Sequence, residues 1–147
     1  MRNGPSEFAG RGLAQVFRAL KTVRPVRPIH PHGVGLAGTL ERHQCPVPSG
    51  IAWIGTPGTD AVQARLSRSA GLPPVFPDIL GLALRVPAGS GHFDVLLSST
   101  GMSRPGRFLL TARKTASAAA FTTVMPYRGA QGPVLLAART VAAVPAL

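Results

Sequence analysis

The sequence predicts a mainly β domain: an antiparallel β-barrel with one helix at its N-terminal side. Three observations carry that prediction. First, the 147 residues include 17 glycines and 15 prolines, well above average usage and without a collagen-like period. Such punctuation suits short strands joined by turns better than a helical bundle. Second, hydrophobic residues make up 45% of the chain and aromatics only 5%, so a core must be built from Leu, Val and Ala. Third, short apolar stretches recur along the chain between clear turn signals, with no internal repeat. The length is that of one ordinary domain.

Taken in order, residues 6–21, "SEFAGRGLAQVFRALK", place Phe8, Leu13, Val16, Phe17 and Leu20 near one side at helical spacing, with Ser6 as N-cap. Residues 1–24 therefore read as an amphipathic helix and linker, and 25–147 as the barrel. Pro25, Pro28 and Pro31 forbid a helix and favour an extended approach. Strands are expected at 33–42, 50–55, 60–68, 79–87, 92–99, 107–113, 121–128 and 133–141. In 79–86, Leu80, Leu82, Leu84 and Val86 share one face. In 93–99, Phe93, Val95 and Leu97 oppose Asp94, Leu96 and Ser98, so this strand reads as apolar on both faces and well covered.

Sixteen basic residues face five acidic ones, giving a net charge of +11. Fourteen of the sixteen are Arg, scattered singly from Arg2 to Arg139 with no basic run and no interleaved aromatics. That distribution argues against nucleic acid, and Arg paired with the carboxylates of a small ligand is the better expectation. The single Cys45 excludes an internal disulfide. No secretory h-region is seen, and no stretch approaches the ~20 apolar residues of a membrane span. A cytoplasmic location without membrane association is expected.

Two of the four histidines, His30 and His32, stand together in "VRPIHPHGVGLAGTL" (26–40). They lack further ligands at zinc spacing, so no metal site is expected. Acid/base chemistry is the alternative, and it needs a neutral imidazole with an orienting partner. Such partners are offered by "ARLSRSAG" (64–71), with Arg65 and Ser67, and by "FDVLLSSTG" (93–101), with Ser98, Ser99 and Thr100. Arg65 and Ser67 are two apart and share a strand face, while Val62, Ala64 and Leu66 point the other way. An Arg and a Ser projecting into a barrel interior are costly unless they bind something there.

These segments resemble the haem catalases. Arg27, His30, Gly33 and Gly38-Thr39-Leu40 are similar to the stretch that carries the family's distal histidine. Arg65, Ser67, Ala70, Gly71, Asp78, Ile79, Gly81, Ala83 and Leu84 match the block that follows. Gly91, Asp94 and Thr100 match the next, in the family's order. The resemblance covers roughly residues 25–101 well and 121–139 weakly. It implies a reduced catalase-like barrel that binds haem and acts on hydrogen peroxide or an organic peroxide, in a possible homo-oligomer. His30 would be general base and then general acid, Ser67 would hold its ring, and Ser99 would stand where the family has a distal Asn. Arg27 and Arg65 would face the haem propionates and Ile29 would narrow the distal space. The family's axial Tyr has no match, since Tyr127, the one tyrosine, lies in a strand-like context. The alternative is a barrel without haem that binds a small apolar or anionic molecule, or serves as an interaction domain.

Overall fold

A computed structural model describes residues 14–15, 18–19, 21–22, 29–44 and 48–141. Residues 14–15, 18–19 and 21–22 are helical and exposed. The other residues of the expected N-terminal helix, together with Arg27 and Cys45, lie outside the described residues. Four long strands follow: β1 (His32–Arg42), β2 (Gly58–Arg68), β3 (Asp78–Ala88) and β4 (Gly91–Thr100). Short ones complete the chain: β5 (Ala112–Arg113), β6 (Ala120–Thr122), β7 (Tyr127–Gly129), β8 (Gly132–Val134) and β9 (Ala137–Arg139). The main sheet runs β1-β2-β3-β4-β6-β9, all antiparallel, with β5 added to β3; β7 and β8 form a separate pair. It is a curled half-barrel. Among the described residues β1 and β9 are edges that do not pair with each other, so the expected antiparallel barrel is present as a half-barrel.

Four of the expected strands form nearly at the expected bounds. The others depart. Residues 52–55 make one helical turn, Ala52–Gly55, because Arg42 gathers it from outside. The Arg42 guanidinium donates to the carbonyls of Trp53 and Thr56, pairs with Asp60 at 2.9 Å and lies over the Trp53 ring. Residues 107–113 split into a 3₁₀ turn, Gly106–Phe108, and the two-residue β5. The run 121–128 breaks because Val124 takes φ 58°, a conformation that ends a strand for a β-branched residue. The run 133–141 divides into β8 and β9.

The apolar core lies on one face of the sheet. Leu80, Val95, Leu97, Ala119 and Phe121 are buried there, with Leu66, Leu82, Leu84, Phe93, Leu136 and Ala138 packed around them. Period-two alternation puts the β3 and β4 residues on that side, and register brings Leu66, Phe121 and Ala138 to the same face. The opposite face is covered toward the end of β4, where Thr100 and Thr122 are fully buried, but open at Leu96, which is 61% exposed, contrary to the expectation of a strand covered on both sides. Among the described residues no helix is long and apolar enough to cross a membrane.

Candidate functional site

Register decides which residues meet. Gly33 pairs with Ser67, Ser67 with Gly81, Gly81 with Ser98, and Ser98 with Thr122. Directly paired residues point to one side of a sheet, so this row of small and hydroxylic residues crosses five strands on the face opposite the core. His30, just before β1, folds its imidazole onto that row. Its Nδ1 lies 2.8 Å from Ser67 Oγ. A Cβ on Gly81 would fall 2.5 Å from His30 Cε1 and 3.1 Å from Ser67 Oγ. Only glycine leaves room for the ring. Gly33 plays the same part for Arg65, since a Cβ there would stand 2.8 Å from the guanidinium carbon.

The backbone of His30 is held from both sides. Its N–H donates to Ser69 O at 2.8 Å and its carbonyl accepts from Arg65 Nη2 at 3.0 Å. Between those bonds φ is 53°, a left-handed conformation that costs a non-glycine residue of order 1–3 kcal/mol and persists only where surroundings over-determine it. The turn that supplies Ser69 is itself fixed by Asp78, a buried carboxylate accepting from the N–H groups of Ala70 and Leu72 at 3.0 and 3.1 Å.

The electrostatics favour a neutral ring. Burial lowers the pKa of His30 and the Arg65 charge lowers it further, against a smaller upward pull from Asp78. Ser67 has one hydroxyl hydrogen. Directed to Gly81 O at 3.3 Å, it leaves an oxygen lone pair to accept Nδ1–H, and Nε2 is then the unprotonated nitrogen. Among the described residues no hydrogen bond engages Nε2. A neutral imidazole with a fixed tautomer and a free Nε2 is the arrangement a general base requires.

An open cleft of about 590 Å³ runs along the same face, lined by Gly35, Ala37, Gln63, Arg65, Arg85 and Asp94 among others; Arg65 links it to the His30 cluster, but His30 and Ser67 do not line it. Arg85 and Asp94 form a two-bond ion pair there, each bond 2.9 Å. The structure thus brings His30, Ser67 and Arg65 together. Ser99 is not with them. It lies on the core face, fully buried, with its hydroxyl accepting from Leu80 N–H at 2.9 Å and donating to Thr111 O at 2.6 Å. Ser98 occupies the His30 face instead, because neighbours in a strand alternate sides. Ile29 is exposed and does not line the cleft, and Arg27 lies outside the described residues. His32 is exposed and opens β1. Gly81, Asp78 and Ser69 complete the site, and no local sequence pattern marks them, because their contributions depend on register and on a turn closed through main-chain groups.

Among the described residues no group of three His, Cys, Asp or Glu side chains could hold a metal ion. No family model, no curated protein and no solved structure matches this chain.

Proposed function

We propose that this chain is a catalase-like protein acting on hydrogen peroxide or an organic peroxide, with His30 as its acid/base group. One observation supports it above the rest: the 2.8 Å contact between Ser67 Oγ and His30 Nδ1 beneath a ring seated on a glycine. The chemistry assigned to the chain is proton transfer. Nε2 takes the O–H proton of a bound hydroperoxide, Ser67 keeps the ring in register, and Ser98 offers a hydroxyl on the same face. The resemblance implies haem, and the residues fit it on one side only. Gly35, Ala37 and Ala83 give the cleft a floor without bulky side chains on which a flat ring can lie, and Arg65 suits its carboxylates. The iron is not provided for. Tyr127 sits on β7, in the separate two-stranded sheet, and does not line the cleft. No step is therefore routed through haem.

That mismatch favours a second reading, in which the same cleft holds a small anionic or apolar molecule without haem. Titrating the protein with haemin separates the two. The peroxide reading expects a shifted Soret band and oxygen evolution from peroxide, with His30→Ala retaining the band and losing the oxygen. A spectrum identical to free haemin removes the haem-dependent reading and leaves the second.

A further inference from the structure

The charges scattered through the sequence are sorted by the fold. Antiparallel pairing brings the start of β1, the β2–β3 connection and the β4–β6 connection to one end of the sheet. That end carries Arg104, Arg107, Arg113, Lys114 and Arg139, and its one carboxylate among the described residues, Asp78, is buried. The remaining described carboxylates, Glu41, Asp60 and Asp94, lie toward the opposite end, where β1 meets β2 and β3 meets β4. The same basic end holds apolar side chains out in solvent. Val75 is 66% exposed, Phe76 54%, Leu109 62% and Leu110 52%. They sit on two loops, 69–77 and 101–111, and Arg68 ties the first of them to the residue after β5. Its guanidinium donates to Leu72 O at 3.0 Å, to Pro73 O at 3.5 Å, to Phe76 O and to Lys114 O at 3.2 Å. Val75 and Phe76 are held by that clamp, while Leu109 and Leu110 are fixed by main-chain pairing, Leu109 N–H to Gly106 O at 3.0 Å and Leu110 bridged to Thr100.

We propose that this end of the sheet is a docking surface for an anionic lipid bilayer, with Val75, Phe76, Leu109 and Leu110 entering the headgroup region and Arg104, Arg113 and Lys114 meeting lipid phosphates. Charge complementarity names the occupant: a cationic rim around exposed aliphatic and aromatic tips matches an acidic interface with hydrocarbon beneath it. Nucleic acid would use the cations but has no place for Val75, Leu109 and Leu110. Peripheral docking requires no spanning segment, so the lack of a 20-residue apolar stretch does not oppose it. The proposal stands apart from the peroxide reading. It uses neither His30 nor the cleft.

The test is co-sedimentation of the full chain with phosphatidylcholine vesicles, with and without phosphatidylglycerol, at two salt concentrations. Binding is expected only with the anionic lipid, falling with salt. Arg113→Glu with Lys114→Glu is expected to weaken it by at least about tenfold, and Phe76→Ser with Leu109→Ser comparably. The control is Arg128→Glu against Lys114→Glu. Both reverse one exposed charge, but Arg128 lies on the β7–β8 hairpin, which is bonded to Gly50 through Ala130 N–H at 3.1 Å. Equal losses in that pair mean attraction by net charge alone and overturn the proposal. So does binding indifferent to Phe76→Ser with Leu109→Ser, or retention on DNA with no retention on anionic vesicles. Circular dichroism of each variant, compared with the parent, shows that a loss is not unfolding.

Discussion

On one face of the β1–β4 sheet, Leu66, Leu80, Leu82, Val95 and Leu97 interdigitate and exclude water; on the other, in a single row, stand Gly33, Ser67, Gly81 and Ser98. The first face gains stability in proportion to the apolar area it hides. The second hides little apolar area and is built from omissions: at Gly33 and Gly81 the missing Cβ makes the space in which a guanidinium and an imidazole lie. The contrast teaches that in a half-covered sheet the face with the least packing is where side chains from outside the strand can be seated. Residue size, and not polarity alone, marks it.

Four substitutions or conditions would break or sharpen that contrast. The largest effect belongs to the packed face. Phe121 is 4% exposed in the core cluster, and Phe121→Ala is expected to cost about 3–5 kcal/mol in urea unfolding, since the cavity cannot close fully. A loss below ~1 kcal/mol would mean the core is not where it has been placed. Next comes Gly81→Ala, where the new methyl meets the His30 ring at 2.5 Å. Overpacking is expected to cost about 1–3 kcal/mol, and the displaced imidazole should titrate nearer the ordinary histidine range by NMR. An unmoved titration with the methyl in place would show that the ring does not rest on Gly81.

A smaller effect isolates the backbone. His30→Gly and His30→Ala both remove the imidazole, but only glycine relaxes a φ of 53°. The glycine variant should be the more stable by about 1 kcal/mol; equal stabilities would argue against a left-handed residue 30. The last effect is pH dependence. His30 has its pKa lowered by burial and Arg65, so between its folded and unfolded values the unfolded chain binds more protons. Stability attributable to this group is therefore full above the unfolded value near 6.5. It declines as pH falls through that value and levels off below the folded one. Urea midpoints from pH 7.5 to pH 5 should fall less steeply in His30→Ala than in the parent, and parallel curves would remove the argument.

Alternation of apolar residues within 79–86 and 93–99 was enough to name the core face of β3 and β4, since period-two patterning is a local property of an extended chain. The spacing of Arg65 and Ser67 likewise placed them on one face. Ser99 shows where local reading stops. Two adjacent serines differ only in side, and which side faces His30 depends on how β4 registers against β3, a matter of pairing between distant segments. The helical turn at 52–55 was hidden for the same reason, because the arginine that gathers it comes from the end of β1.

By itself, the sequence determined the mainly antiparallel β architecture, its four long strands and the faces of β2, β3 and β4, because turn chemistry and alternation act between neighbours. Tertiary structure alone decided that the sheet stays open among the described residues, and that Gly81 seats the imidazole. It also decided that Ser98 rather than Ser99 shares the face of His30, and that Arg104, Arg107, Arg113 and Arg139 gather at one end. Each of those outcomes is set by which strands pair and in what register, and pairing energies are summed over contacts between residues far apart in sequence.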